Sequence, residues 1–156
     1  MSSTPHRTLG FLLHDVARLM RKRFEQHARE LGLTRAQWQV LVHLSQNEGI
    51  HQGGLAEIIE MEPITLVRIL DRLEARNLVE RRRHPSDRRI WLLFLKQDAH
   101  PLLAVLRGFG DATRSEAMAD VSEADVERLF AILTTMKSNL ISACAHPCQD
   151  KEPSYG

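Results

Sequence analysis

Cysteine is scarce in this chain and comes late: the two residues, Cys144 and Cys148, stand near the C-terminus. They offer no disulfide framework, so a cytoplasmic protein is expected. Long apolar runs are missing as well. Asp15 and Arg18 interrupt the opening stretch MSSTPHRTLGFLLHDVARLMRKRF, so neither a signal peptide nor a membrane partner is expected. Enzyme signatures are lacking too: there is no HExxH or comparable histidine cluster, no glycine-flanked nucleophile elbow and no glycine-rich phosphate loop. No cofactor is expected. Cys144-Ala145-His146-Pro147-Cys148 supplies three ligands where a closed structural zinc site takes four, and its spacing departs from CxxC. Two exposed thiols in a frayed tail are the favoured reading. Nor is there an internal repeat or a low-complexity tract.

Net charge is almost absent, at +1 overall, but its distribution is uneven. Arg76, Arg81, Arg82, Arg83, Arg88 and Arg89 fall within one short segment, against Glu80 and Asp87. Exposed charges are screened beyond about 10 Å at moderate salt, so local density counts for more than the total. A near-neutral chain with one basic outcrop suits a protein that meets a polyanion at one place.

What is abundant is helical periodicity. Leu9, Leu12, Leu13, Val16, Leu19, Met20 and Phe24 recur at three- and four-residue spacing over 8–31, a long amphipathic helix ended by Gly32. Thr34 with Gln37 is a capping box opening a second helix, which buries Trp38, Leu41 and Val42 and closes at Glu48-Gly49. A short helix over about 53–59 and a fourth starting at Pro63 follow. In the fourth, Leu66, Ile69, Leu70 and Leu73 share one face, while Thr65, Arg68, Arg72 and Arg76 lie on or near the other. A short helix, a tight connection and a helix with one apolar and one cationic face make a helix-turn-helix pattern. Strands are expected over 78–83 and 90–95, joined by a Pro85-Ser86-Asp87 turn. Helical spacing resumes after Pro101, with Gly108 and Gly110 leaving its middle open, and again from Ser122 with Asp125 as capping partner.

Helix-turn-helix followed by a hairpin is a winged helix. The expected fold is mainly α: a winged helix-turn-helix with a two-stranded β-wing, plus N- and C-terminal dimerisation helices. The major groove admits one α-helix and distinguishes all four base pairs, and arginine can bind guanine O6 and N7 together. Ile64, Thr65, Arg68 and Arg72 are therefore candidate DNA-binding residues of the fourth helix. Arg82, Arg83, Ser86, Arg88 and Arg89 are candidates of the wing, since arginine suits the enhanced negative potential of narrow minor grooves. Asp87 is expected to organise the wing by pairing one neighbouring guanidinium and leaving the other outward. The plain alternative for the arginine run is a solvated loop.

MEPITLVRILDRLEARNLVERRRHPSDRR resembles the helix-turn-helix and wing of the MarR/SlyA family of bacterial transcription regulators. The family pattern LVR-x-LD-x-LE stands here as Leu66-Val67-Arg68-Ile69-Leu70-Asp71-Arg72-Leu73-Glu74, and the wing's DRR as Asp87-Arg88-Arg89. The resemblance implies a single domain over 1–156, with a DNA-binding lobe at 34–96 and dimerisation helices at 8–31 and 98–143. It implies a homodimer on a pseudo-palindromic double-stranded DNA operator, acting most often as a repressor. It also implies a crevice for a small aromatic acid or phenolic effector, lined by Arg18, Arg21 and Trp38. Trp38 on an apolar helical face suits a core position as well, and Arg18 and Arg21 suit an exposed helix surface. The alternative in a different class is a winged-helix protein-interaction module without DNA binding.

Overall fold

The computed structural model describes residues 8–146, so Cys148 and the rest of the tail lie outside the described residues. Two units are distinct, one ending at Ala117 and one beginning at Met118.

The first unit opens with α1 (Leu9–Ala28), whose N-cap is Thr8. The expected single helix to residue 31 instead tightens into a 3-10 turn, Arg29–Leu31, before Gly32 at φ +65 turns the chain. That tightening satisfies carbonyls a continuing α-helix would leave open. Next, α2 (Arg35–Gln46) starts at the Thr34–Gln37 capping box, both arms of which form. Then come α3 (Gln52–Ile58) and α4 (Pro63–Ala75), the latter with proline in its first turn.

Strands β1 (Val79–Arg83) and β2 (Trp91–Leu95) form an antiparallel pair in register Val79 with Leu95 and Arg83 with Trp91. The connection is longer than the expected Pro-Ser-Asp turn: it runs over 84–90 and takes Ile90 out of the strand. Sequence patterning also missed that the α2–α3 link pairs with β2. Gly49 N–H donates to Leu93 O at 2.8 Å, Leu93 N–H donates to Ile50 O at 2.9 Å, and His51 bridges to Leu92. Gly49 adopts φ +86 to do so, a conformation glycine tolerates.

Helix α5 (Ala99–Ala117) departs from one expectation and closes a point the sequence left open. It begins before Pro101, which sits in the first turn where no backbone donor is needed, and it runs unbroken through Gly108 and Gly110. Buried Leu103 and Leu106 with partly buried Phe109 join it to the core and offset the weak helix propensity of the two glycines.

The core is aliphatic and continuous: Val40, Leu41, Leu44, Leu55, Leu66, Leu70, Leu73, Val79, Leu93 and Leu106 are almost wholly buried. It fixes α4 against α2 and α3 by one face and leaves the other outward. Arg23 Nε donates to Glu116 Oε2 at 2.6 Å, clasping α1 to α5, and His27 Nε2 lies 3.0 Å from Glu116 Oε1.

The second unit is α6 (Glu123–Cys144), capped by Ser122, which accepts from Asp125 N–H at 3.2 Å. It buries none of its own residues. No described helix is long and apolar enough to cross a membrane.

Candidate nucleic-acid interface

The cationic surface is built on α4 and the hairpin. Leu66, Ile69, Leu70 and Leu73 anchor α4 in the core. At 100° per residue that places Ile64, Arg68 and Arg72 on the outer side, with Thr65 at its margin. All four are exposed. No ion pair or side-chain hydrogen bond among the described residues engages the Arg68 or Arg72 guanidinium. Arg76 departs from the expected cationic face: it lies past the last helical turn and donates to Gly32 O at 3.4 Å.

The wing arginines do different things. Arg81 sits on β1 opposite Leu93 with its side chain only 19% exposed, and its guanidinium bridges Asp71 and Glu74 of α4. Burial works against its charge, but the hydrogen bonds to Asp71 and Glu74 outweigh that and raise its pKa. Arg82 Nε donates to Glu80 Oε1 at 2.6 Å, and its guanidinium lies 4.1 Å from the Phe94 ring centroid. Arg83 stacks on Trp91 at 3.7 Å and donates to the Arg88 carbonyl. These two stackings explain how a strand apolar on both faces survives at a surface: guanidinium planes cover the rings the helices do not reach.

At the tip, Asp87 takes three donors from one residue. Arg89 N–H donates to Oδ1 at 3.0 Å, Arg89 Nε to Oδ1 at 3.1 Å and Arg89 Nη2 to Oδ2 at 3.1 Å. The Arg89 side chain, backed by its own amide, holds the Asp87 carboxyl below the usual carboxylate range. His84 N–H to Ile90 O at 2.9 Å and Ser86 N–H to His84 Nδ1 at 3.1 Å close the loop. Ser86 and Arg88 are exposed, and Arg88 has no side-chain partner among the described residues.

Residues 33–91 match the model of the MarR family. Solved MarR-family structures agree over nearly the whole fold. Wild-type MarR from E. coli is 24% identical with a TM-score of 0.74, covering 85% of this chain and 98% of its own. The transcriptional regulator SlyA is 25% identical with a TM-score of 0.69, covering 83% and 91%. A MarR-family transcriptional regulator from Rhodococcus is 25% identical with a TM-score of 0.73, covering 86% and 96%. The fold is thus that of a winged-helix MarR-family transcription regulator.

Arg81, which links β1 to α4, is the residue that sequence reading left among the general charge. A signal was present: Asp71 and Glu74 lie one helical turn apart, and an arginine of odd register on β1 shares its face with inward-facing Leu93. The resemblance-based effector residues are not gathered into one cavity of the single chain. Trp38 is 7% exposed, packs on Phe24 at 4.4 Å between ring centroids, and walls a cavity of about 510 Å³ that also meets Lys22, Arg29 and Arg35. Its Nε1–H is buried without a partner among the described residues. Arg21 lines a different cavity of about 380 Å³ with Arg35 and His43; burial pushes the His43 pKa down. Arg18 is exposed, 3.9 Å from Asp15.

Proposed function

We propose that this chain acts as a homodimeric repressor in the cytoplasm, binding a pseudo-palindromic duplex DNA operator through α4 and the wing. The observation that carries the reading is the exposed pair Arg68 and Arg72, without a partner among the described residues, on the outer face of a helix whose other face is locked in the core. An unpaired cationic helix face beside the exposed Arg88 and Arg89 has the charge and width of a major-groove reader with a flanking phosphate contact. Ile64, Thr65 and Arg68 would meet base edges. Arg72, Arg82, Arg83, Ser86, Arg88 and Arg89 would hold phosphate or enter the neighbouring minor groove, with Asp87 setting the loop.

The dimer reading is supported by uncovered apolar surface. Phe11 is 73% exposed, and Leu9, Leu12, Val16 and Leu19 of α1 share its exposure, as do Phe130, Ile132, Leu140 and Ile141 of α6. Helices this apolar need cover, and a second copy supplies it with two-fold symmetry. Half-sites then fall about 10 base pairs apart, or a multiple of that. A bound dimer that occludes a promoter represses without further apparatus.

A small aromatic acid or phenol is the effector class that fits Trp38, whose orphaned indole N–H is a donor awaiting an acceptor. In this reading Arg21 and Arg18 engage the effector only in the dimer. The test is a mobility-shift titration with DNA from upstream of the gene, with and without salicylate. A tight shift weakened by salicylate supports the whole reading, and a tight shift indifferent to it removes the effector. Absence of any specific duplex site, after selection from random sequence, would favour the protein-interaction alternative.

A further inference from the structure

Ile64 breaks the surface pattern of α4. It lies on the side away from Leu66, Ile69, Leu70 and Leu73, in line with Arg68 one turn on, and is 66% exposed. An isolated exposed isoleucine is ordinary on a protein surface. This one, however, heads the outward face of the helix that carries Arg68 and Arg72, and nothing among the described residues covers it. Pro63 in front of it has no backbone donor, and exposed Glu60 and Glu62 oppose a phosphate at that end of the helix despite its favourable dipole. The first turn is thus fit for an uncharged, apolar part of the duplex rather than for its backbone.

In the major groove that part is the C5-methyl group of thymine. We infer that Ile64 and Arg68 together read a thymine and a guanine in each half-site, Ile64 against the thymine methyl and Arg68 against guanine O6 and N7. This deepens the DNA-binding reading above and rests on it. Four helical residues advance about 6 Å, and base pairs stack about 3.4 Å apart. The thymine and guanine therefore lie within about two base pairs of each other.

The test starts from a duplex selected from random sequence by the full-length chain. Each thymine is then replaced by uracil, which removes one methyl group and keeps the base pair. Losing one buried methyl should weaken binding about fourfold per half-site. The loss is expected at one thymine within two base pairs of a guanine, and at no more distant position. Ile64→Ala, at an exposed site that leaves the core intact, should bind the thymine and uracil duplexes equally. Wild-type binding indifferent to every uracil substitution overturns the inference, as does an Ile64→Ala variant that stays equally sensitive. In either case salt-dependent binding to the selected site would leave the DNA-binding reading standing. If no sequence is enriched and duplex binding shows no salt dependence, both fall together.

Discussion

Arg81→Ala separates a residue that positions the wing from the residues proposed to hold DNA. Arg81 connects β1 to α4 through Asp71 and Glu74, whose side chains are 57% and 33% exposed. Exposed pairs contribute roughly 0–1 kcal/mol each, and partial burial of the guanidinium puts the two together at about 1–2 kcal/mol. Its removal also leaves two unneutralised carboxylates on the helix proposed to approach DNA. The variant should unfold at a lower temperature and bind operator about tenfold more weakly, which corresponds to about 1.4 kcal/mol. Its salt slope should nevertheless stay close to wild type, because the Arg81 guanidinium faces α4 and not phosphate. Arg88→Ala should do the opposite. The fold keeps its stability, and the slope of log K against log salt falls by about 1.8 for two symmetry-related contacts. Fluorescence anisotropy with labelled operator between about 50 and 200 mM salt resolves that difference. A slope loss for Arg81→Ala as large as for Arg88→Ala would refute the latch, as would an Arg81→Ala protein with unchanged melting temperature and affinity.

Arg68→Ala should relax sequence preference by about 1–3 kcal/mol at one base position per half-site; unchanged discrimination among operator variants would remove it as a base reader. Val16→Asp should place a charge in the uncovered apolar stripe of α1 and shift the chain to a monomer by light scattering, with operator affinity falling in parallel. A Val16→Asp protein that remains dimeric would move the interface elsewhere. Glu116 has its pKa depressed, chiefly by the Arg23 hydrogen bond and further by His27. A depressed carboxylate stabilises the fold at neutral pH and ceases to do so as pH falls through its lowered pKa, below the usual carboxylate range. Glu116→Gln should accordingly melt earlier than wild type near neutrality and converge with it in acid; a gap that persists at low pH would contradict the clasp.

Sequence carried the recognition helix because its signal is local. Leu66, Ile69, Leu70 and Leu73 repeat at helical spacing, Pro63 marks the start, and the cations fall on the remaining face. The Thr34–Gln37 and Ser122–Asp125 caps were legible for the same reason, each being a three-residue spacing. Features set by distant partners were not. The unbroken course of α5 through Gly108 and Gly110 depends on packing of Leu103, Leu106 and Phe109. The added pairing of Gly49–His51 with β2 depends on a contact some forty residues away. The seven-residue wing loop escaped notice because Pro85-Ser86-Asp87 alone looks like a complete turn, whereas Arg83 and Asp87 hold a wider one through Arg88 and Arg89. Trp38 looked like a pocket wall by resemblance, and its place beside Phe24 makes it a core residue with one open edge.

The salt dependence of duplex DNA affinity for the intact wild-type chain tests the central claim most directly. Arg72, Arg82, Arg88 and Arg89 from two copies would release enough counterions for a slope of log K on log salt between about −4 and −7. That range, seen with a selected site, is the result the account predicts. A slope near zero would contradict it, because the arginines of α4 and the wing would then serve something other than DNA.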